Sequence, residues 1–247
     1  MNLIILRESD RRDAVTFTLS DERAVHIRTI LKCSQGDSLE VGMLNGPTGV
    51  ATIVALDDRA ITLACENWHP VLETEAETDI ICALPRPQTF KKVLSTCATM
   101  DVRRLDFIRA NRVEKSFFQS PVLESESIES FLIEGLSQGK RTRMPEVAVH
   151  DRFRIFFEET LPSRPDSDQA EARLVAHPET TRTLQSKDID PAKRVVIAIG
   201  PEGGWVPFEL ELMQTLGFRL VNLSGSILRV ETAVTAALAQ LELVRMS

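Results

Sequence analysis

Two stretches near the end of the chain hold the residue types best suited to gripping a small molecule and acting on it. The first, Gly200-Pro201-Glu202-Gly203-Gly204, sets three glycines around a proline that stiffens the turn. Glycines accept backbone angles closed to other residues and put no Cβ in a ligand's way. No Lys-Ser/Thr pair follows, so this is not a phosphate-cradling P-loop, and the order is not the Gly-x-Gly-x-x-Gly of a dinucleotide site. Glu202 would repel a bound phosphate. The loop therefore suits a ligand with a flat ring and polar edges. In the second stretch, Asn222 to Ala233, Arg229 stands between apolar Leu228 and Val230. A guanidinium fixed in such a place can bind a phosphate or stabilise developing negative charge. Glu231 opens a helix, where the dipole favours a carboxylate whatever its function. His26, His69, His150 and His177 lack metal-ligand spacing, and so do Cys33, Cys65, Cys82 and Cys97. No metal is expected, and the cysteines read as small core residues in a reducing compartment.

These residues need rigid supports. Val195–Ile199 is an apolar run that empties into the glycine loop. Val221-Asn222-Leu223 leads into the second stretch, and Arg173–Pro178 reads as a third strand end. The closing segment places Val230, Ala233, Val234, Ala237, Leu238, Leu241 and Val244 on one side of a helix. In an α/β sheet, ligands bind where strands end, so one pocket built from these loops is expected. Upstream, Ile80–Leu84 and Leu105–Ile108 read as strands. Phe90, Val93, Leu94 and Cys97 fall on one helix face. A helix is expected over Ile128–Gln138, a strand over Val147–Val149 and a helix over Arg152–Leu161. Such alternation means a parallel or mostly parallel sheet flanked by helices.

Residues 1–68 read differently. Short strands are expected over Thr16–Leu19, Ser38–Val41, Val50–Val54 and Ala60–Ala64, with turns at Gly36-Asp37 and Asn45–Gly49. Ser20-Asp21-Glu22 caps a helix. This spacing suggests a small barrel. Acidic residues 69–79 read as a linker.

The 247 residues suffice for one large domain or two ordinary ones, and 43% apolar with 26% charged residues is a globular balance. No run of eighteen apolar residues is present, so no membrane span is read. The opening residues lack the basic start and apolar core of a signal peptide, which points to the cytoplasm. A net charge of −7 argues against a nucleic-acid partner. Residues 86–145, however, carry eleven Lys/Arg against seven Asp/Glu, a net +4, and phosphate binding follows local patches.

Val-Ile-Ala-Ile-Gly-Pro-Glu-Gly-Gly-Trp-x-Pro-x-Glu at 196–209, with Asn-Leu-x-x-x-Ile-Leu-Arg-x-Glu-Thr-Ala at 222–233, resembles the ribosomal RNA small subunit methyltransferase E family of the SPOUT superfamily. The resemblance runs nearly end to end and is sharpest in these motifs. It implies a PUA-like RNA-binding β-barrel domain over 1–72. It also implies a SPOUT methyltransferase domain over 73–247, an α/β fold whose mostly parallel sheet is tied in a trefoil knot. The implied activity is S-adenosylmethionine-dependent methylation of N3 of a uridine in 16S rRNA of the small ribosomal subunit, by a homodimer. The implied cofactor contacts are Ala176, His177, Pro178, Gly200, Pro201, Gly203, Gly204, Leu223, Ser224, Ile227, Leu228, Thr232 and Ala233. A neutral N3–H is a poor nucleophile, so its proton must be removed or its loss helped by positive charge. Arg229, Glu202 and His177 are the candidates, and the sequence does not choose among them.

Lys32, Arg112, Gln138, Arg141 and Arg143 match basic or polar positions of the family and are the expected RNA contacts. The chain also departs from the pattern. The family's Leu-Gly-x-Arg-Ile-Leu-Arg reads Leu223-Ser224-Gly225-Ser226-Ile227-Leu228-Arg229 here. Ser226 replaces an arginine, which leaves open another rRNA or tRNA position, or an RNA-binding paralogue without transfer.

Overall fold

The structure, a computed structural model, describes residues 2–70, 77–164, 170–185, 187, 189–190 and 193–246. It divides into two compact units, one of residues 1–73 with 133–144, the other of residues 74–132 with 145–247.

The first unit is a six-stranded sheet. Its strands are β1 (Ile4–Leu6), β2 (Thr16–Leu19), β3 (Ser38–Met43), β4 (Thr48–Leu56), β5 (Ile61–Ala64) and β6 (Trp68–His69), with helix α1 (Glu22–Thr29) after β2. The order is β1-β3-β4-β5-β2, with β6 also on β4. Only β1 with β3 is parallel. Alternation along β4 turns Ala51 and Ile53 inward and Val50, Thr52 and Val54 outward. The inward residues join Phe17, Leu19, Ile27, Leu39, Val41, Ile61 and Leu63 in one core. Asp21 caps α1 as expected, accepting from the Arg23 N–H. Residues 133–144 are sewn into this unit. Ser137 Oγ donates to the Leu3 carbonyl at 2.6 Å, Thr142 Oγ1 to that of Gly46 at 2.7 Å, and Asn45 Oδ1 accepts from the Met144 N–H at 2.8 Å.

The second unit is an all-parallel sheet. It consists of β7 (Thr78–Ala83), β8 (Arg104–Ile108), β9 (Glu146–His150), β10 (Ala170–Ala176), β11 (Arg194–Ile199) and β12 (Arg219–Val221), in the order β12-β10-β11-β7-β8-β9. One row of partners crosses it: Arg219, Leu174, Ile197, Ile80, Leu105 and Val147. The central strands β7 and β11 are buried along their whole length, which is why they read as unbroken apolar runs. Helices α2 (Pro87–Thr99), α3 (Ser125–Gly139), α4 (Phe153–Ile155), α5 (Pro207–Thr215) and α6 (Val230–Arg245) complete the chain. α2 packs on α6, and its Phe90 meets Phe107 of β8 with ring centroids 4.4 Å apart. Burial pushes the thiols of Cys82 and Cys97 upward, as befits core residues.

Three expectations need correction. The segment 69–79 is not all linker. His69 pairs with Thr48 and Thr78 opens β7, while residues 71–76 lie outside the described residues. The strand expected to run through Val221-Asn222-Leu223 ends at Val221; Asn222 instead makes an isolated parallel bridge with Thr183, its N–H on the Arg182 carbonyl at 2.7 Å and its side chain on the Thr180 carbonyl at 3.0 Å. The helix expected over Arg152–Leu161 is three α-helical residues widening into a π turn over Phe156–Thr160, closed by the Leu161 N–H on the Phe156 carbonyl. That turn keeps Phe153, Phe156 and Phe157 all inward. The basic residues of 86–145 are divided between the two units. Lys140, Arg141 and Arg143 belong to the first unit and the other eight to the second.

Candidate functional site

β10, β11 and β12 are neighbours, so the loops leaving their C-terminal ends meet. They enclose a pocket of about 290 Å³ lined by residues 176–179, 199–205, 222–224 and 226–228, with Val230 and Ala233 of α6 and Arg112 from the loop after β8. The sheet order reverses here. From β7 the chain lays down β8 and β9 to one side, and then places β11, β10 and β12 on the other. A crevice at such a switch is where open α/β sheets bind ligands.

The glycine loop is a tight turn closed by the Gly204 N–H on the Pro201 carbonyl at 2.8 Å. Gly204 lies at φ +73°, a conformation that L side chains rarely adopt. The other two glycines have protein neighbours close by. A Cβ on Gly200 would sit 3.0 Å from Trp205 Nε1, and one on Gly203 3.0 Å from Arg112 Cδ. The Arg112 guanidinium donates to the Gly203 carbonyl. Trp205 is buried, lines the pocket and packs beside Phe153 at 6.2 Å between centroids.

The loop after β12 is held by its own polar side chains. Asn222 Oδ1 accepts from the Ser224 N–H at 2.9 Å, and Ser224 Oγ from the Ser226 N–H at 3.1 Å. Gln240 of α6 donates to the Leu223 carbonyl at 2.7 Å. Ser224, where the sequence pattern has glycine, thus contributes a hydrogen bond that glycine could not make.

Of the thirteen expected cofactor contacts, twelve line this pocket. Thr232 is exposed on α6, beside pocket-lining Ala233. His177 continues the sheet with its N–H on the Val221 carbonyl at 3.0 Å, and its Nε2 lies 3.6 Å from Glu179 Oε2. Glu202 is exposed, and its Oε1 accepts from the Arg86 N–H at 3.4 Å. Arg229 is the exposed N-cap of α6, between pocket-lining Leu228 and Val230 but not itself in the lining. Glu231 pairs with Lys92 at 3.5 Å. Among the expected RNA contacts, only Arg112 is at the pocket. Lys32, Gln138, Arg141 and Arg143 belong to the first unit, with Lys32 at φ +54° just past α1.

Sequence reasoning missed Trp205, Glu179 and Asn222 as pocket residues. Trp205 and Asn222 stood inside the quoted motifs. Arg112 was read only as an RNA contact, because nothing in local sequence announces a residue brought in from another loop. The lining is mostly apolar, from Ile199, Leu223, Ile227, Leu228, Val230 and Ala233, with backbone groups and short hydroxyls between. Such a surface grips a flat, partly apolar molecule through its edges. Among the described residues no group of three or more His, Cys, Asp or Glu could hold a metal ion.

The family described as RNA methyltransferase domain matches residues 72–242. The chain is 26% identical over 240 residues to ribosomal RNA small subunit methyltransferase E of Treponema pallidum, covering 97% of this chain and 90% of that one. It is 28% identical over 233 residues to the protein of the same name from Synechocystis sp., covering 92% and 72%. Among solved structures it shares its fold with a ribosomal RNA small subunit methyltransferase E from Neisseria gonorrhoeae bound to S-adenosyl methionine. The TM-score is 0.78 at 20% identity, over 99% of this chain and 98% of that one.

Proposed function

Because the chain belongs to the RNA methyltransferase domain family, matched over residues 72–242, we propose that it is an enzyme that methylates N3 of a uridine in 16S rRNA of the small ribosomal subunit, using S-adenosylmethionine. The observation that carries this reading is the pocket itself. Three loops leave neighbouring strand ends and enclose an apolar lining edged with backbone donors and acceptors.

The bound cofactor would supply a methyl group on an electrophilic sulfonium. The residues of 176–178, 200–204 and 223–228 would hold it, and the chain's own work would be placement and proton handling. Placement alone can supply a large share of the rate when the acceptor nitrogen is held in line. Glu202, exposed at the pocket, is available as a base for the N3 proton, and so is the imidazole of His177. Arg229 makes no ion pair among the described residues, so its charge is free to stabilise the uracil anion.

The same reading assigns the first unit as the PUA-like RNA-binding domain and the second as the knotted SPOUT domain. Antiparallel strands around one core support the former. The close passage of Asn222 by residues 178–182 is in keeping with a threaded chain. Exposed Leu243 of α6, Met246 just past its end and Ile227 at the pocket offer apolar surface for a homodimer. No helix among the described residues is long and apolar enough to cross a membrane, and the proposed substrate places the enzyme in the cytoplasm.

A second reading keeps the transfer and moves the target. It is favoured by Ser226, which lines the pocket where the sequence pattern has arginine and offers only one short hydroxyl. One experiment separates the readings. Labelled methyl transfer is assayed on small-subunit particles, naked 16S rRNA and tRNA from a deletion strain, with the site mapped by mass spectrometry. The expected outcome is label at N3 of one uridine in the particles. Label only in tRNA, or on a ring carbon or ribose oxygen, would overturn the substrate assignment. Label in none of them would leave a binding protein without transfer.

A further inference from the structure

Glu209 is fully buried, yet it makes no ion pair among the described residues. Its two oxygens are spent on backbone. Oε2 accepts from the Val206 N–H at 2.9 Å and Oε1 from the Asn111 N–H at 2.7 Å. Two backbone N–H donors thus converge on one carboxyl group, one on each oxygen, and a carboxylate accepts at both. Its place in the first turn of α5 lets the helix dipole offset part of the cost of burying that charge. The two donors lie on different loops. Val206 ends the loop after β11, and Asn111 stands in the loop after β8, next to Arg112. The second loop reaches the pocket through Arg112, whose stem lies against Gly203 and whose guanidinium takes the Gly203 carbonyl.

We propose that Glu209 is a positioning residue of the cofactor pocket. Its carboxylate fastens the loop after β8 to the loop after β11, and this sets Arg112 as a wall of the pocket. The proposal rests on the cofactor reading above. Glu209 touches no ligand itself and acts through Asn111 and Arg112. It follows that Arg112 has a task in cofactor binding besides any contact with RNA.

Glu209→Gln tests this with almost no change of shape. The amide has one acceptor oxygen, so one of the two N–H groups meets an NH₂ and only one loop stays held. The measurements are melting temperature, calorimetric affinity for S-adenosylhomocysteine, and the KM for S-adenosylmethionine against kcat, for Glu209→Gln, Arg112→Ala and the double variant. In the folded Glu209→Gln protein the affinity should fall about tenfold or more, the scale of one unsatisfied buried donor. KM should rise while kcat at saturating cofactor stays within about threefold, because lost binding common to ground and transition states raises KM alone. The double variant should bind about as weakly as the worse single one, since both act through one wall. Wild-type affinity in folded Glu209→Gln, or losses that multiply in the double variant, would overturn the proposal. If Glu209→Gln does not fold, exposed Arg112→Ala alone must still lose affinity, and an undisturbed Kd there would be equally fatal. A wild-type protein that binds no S-adenosylhomocysteine would bring down the cofactor reading, and this proposal with it.

Discussion

Arg229 has an extended backbone at the N-cap of α6, an exposed side chain and buried Val230 behind it. Its charge supports little of the fold, so Arg229→Ala should leave the melting profile unchanged while methyl transfer falls about a hundredfold, the scale of losing one preorganised charge stabiliser. A fully active variant would remove Arg229 from the transfer step. Asp106 behaves in the opposite way. It is wholly buried on β8, and it takes Arg164 in a two-pronged bond at 2.7 and 2.9 Å and His150 Nε2 at 2.8 Å. Burial raises its pKa, but the hydrogen bonds from His150 and Arg164 and the charges of Arg164 and Arg104 outweigh that and hold it below the usual carboxylate range. A depressed native pKa means that this stabilisation is complete above the unfolded carboxylate's pKa and is lost as the pH falls through the native one. Asp106→Asn should cost about 3 kcal/mol or more at neutral pH, and thermal melts should show it losing less on acidification than the wild type. Neither the cluster nor its cost is visible in sequence, because Asp106, His150 and Arg164 meet only through the pairing of β8 with β9 and the turn after α4. Gly203 teaches the same lesson. The glycine was legible, but its close neighbour, the Arg112 stem, was not.

At the scale of elements, sequence pattern served best where burial is two-sided or strongly periodic. β7, β8 and β11, the inward face of α2 and that of α6 all follow from apolar runs or from the i, i+3, i+4 spacing. Three-residue β1 and two-residue β6 are too short to show alternation, and they exist because β3 and β4 offer them ladders. The three strand ends of the pocket were legible for the same reason, although which loops would become neighbours is a property of sheet order. α3 was legible as a helix, but not its division. The boundary between the units falls between Leu132 and Ile133, inside it. A simple cut near residue 72 therefore does not free the second unit cleanly. All residues lining the pocket lie in 74–132 and 145–247, so a protein of residues 73–247 should still bind S-adenosylhomocysteine in calorimetry. Residues 133–144 would lose Leu3, Asn45 and Gly46 as partners, and limited proteolysis should cut there first, at sites silent in the full chain. Equal protection of 133–144 in both proteins would show that the segment needs no first unit to hold it.

Across the whole molecule the net charge of −7 hides an ordered asymmetry in the second unit. At the N-terminal ends of the strands the arginines are neutralised or tied to backbone. Arg103 takes Glu77 at 3.1 Å and Asp79 at 2.5 Å, Arg104 takes Asp106 at 3.3 Å, and Arg245 holds Thr78 Oγ1 and the Glu77 carbonyl, each at 2.9 Å. At the C-terminal ends, where the pocket opens, Arg86, Arg109, Lys115 and Arg229 make no ion pair among the described residues. There Arg109 lies over the Phe118 ring at 6.0 Å. Glu179, Glu202 and Glu231 also lie at the pocket end, with Glu231 paired to Lys92, but these four cations carry no ion pair there. Such a local field attracts a polyanion despite the acidic total. The half-buried ring of Phe118 adds a face for a base to stack on. Each of these cations that meets a phosphate should contribute about 0.7–0.9 to the slope of log K against log salt. Arg86→Ala, Arg109→Ala and Lys115→Ala are therefore expected to weaken RNA binding at low salt and to flatten that slope stepwise as they are combined. Affinity for S-adenosylhomocysteine should stay unchanged, since none of the three lines the pocket. Filter binding from about 50 to 200 mM salt measures it, and a triple variant with the wild-type slope would place the RNA on another face of the molecule.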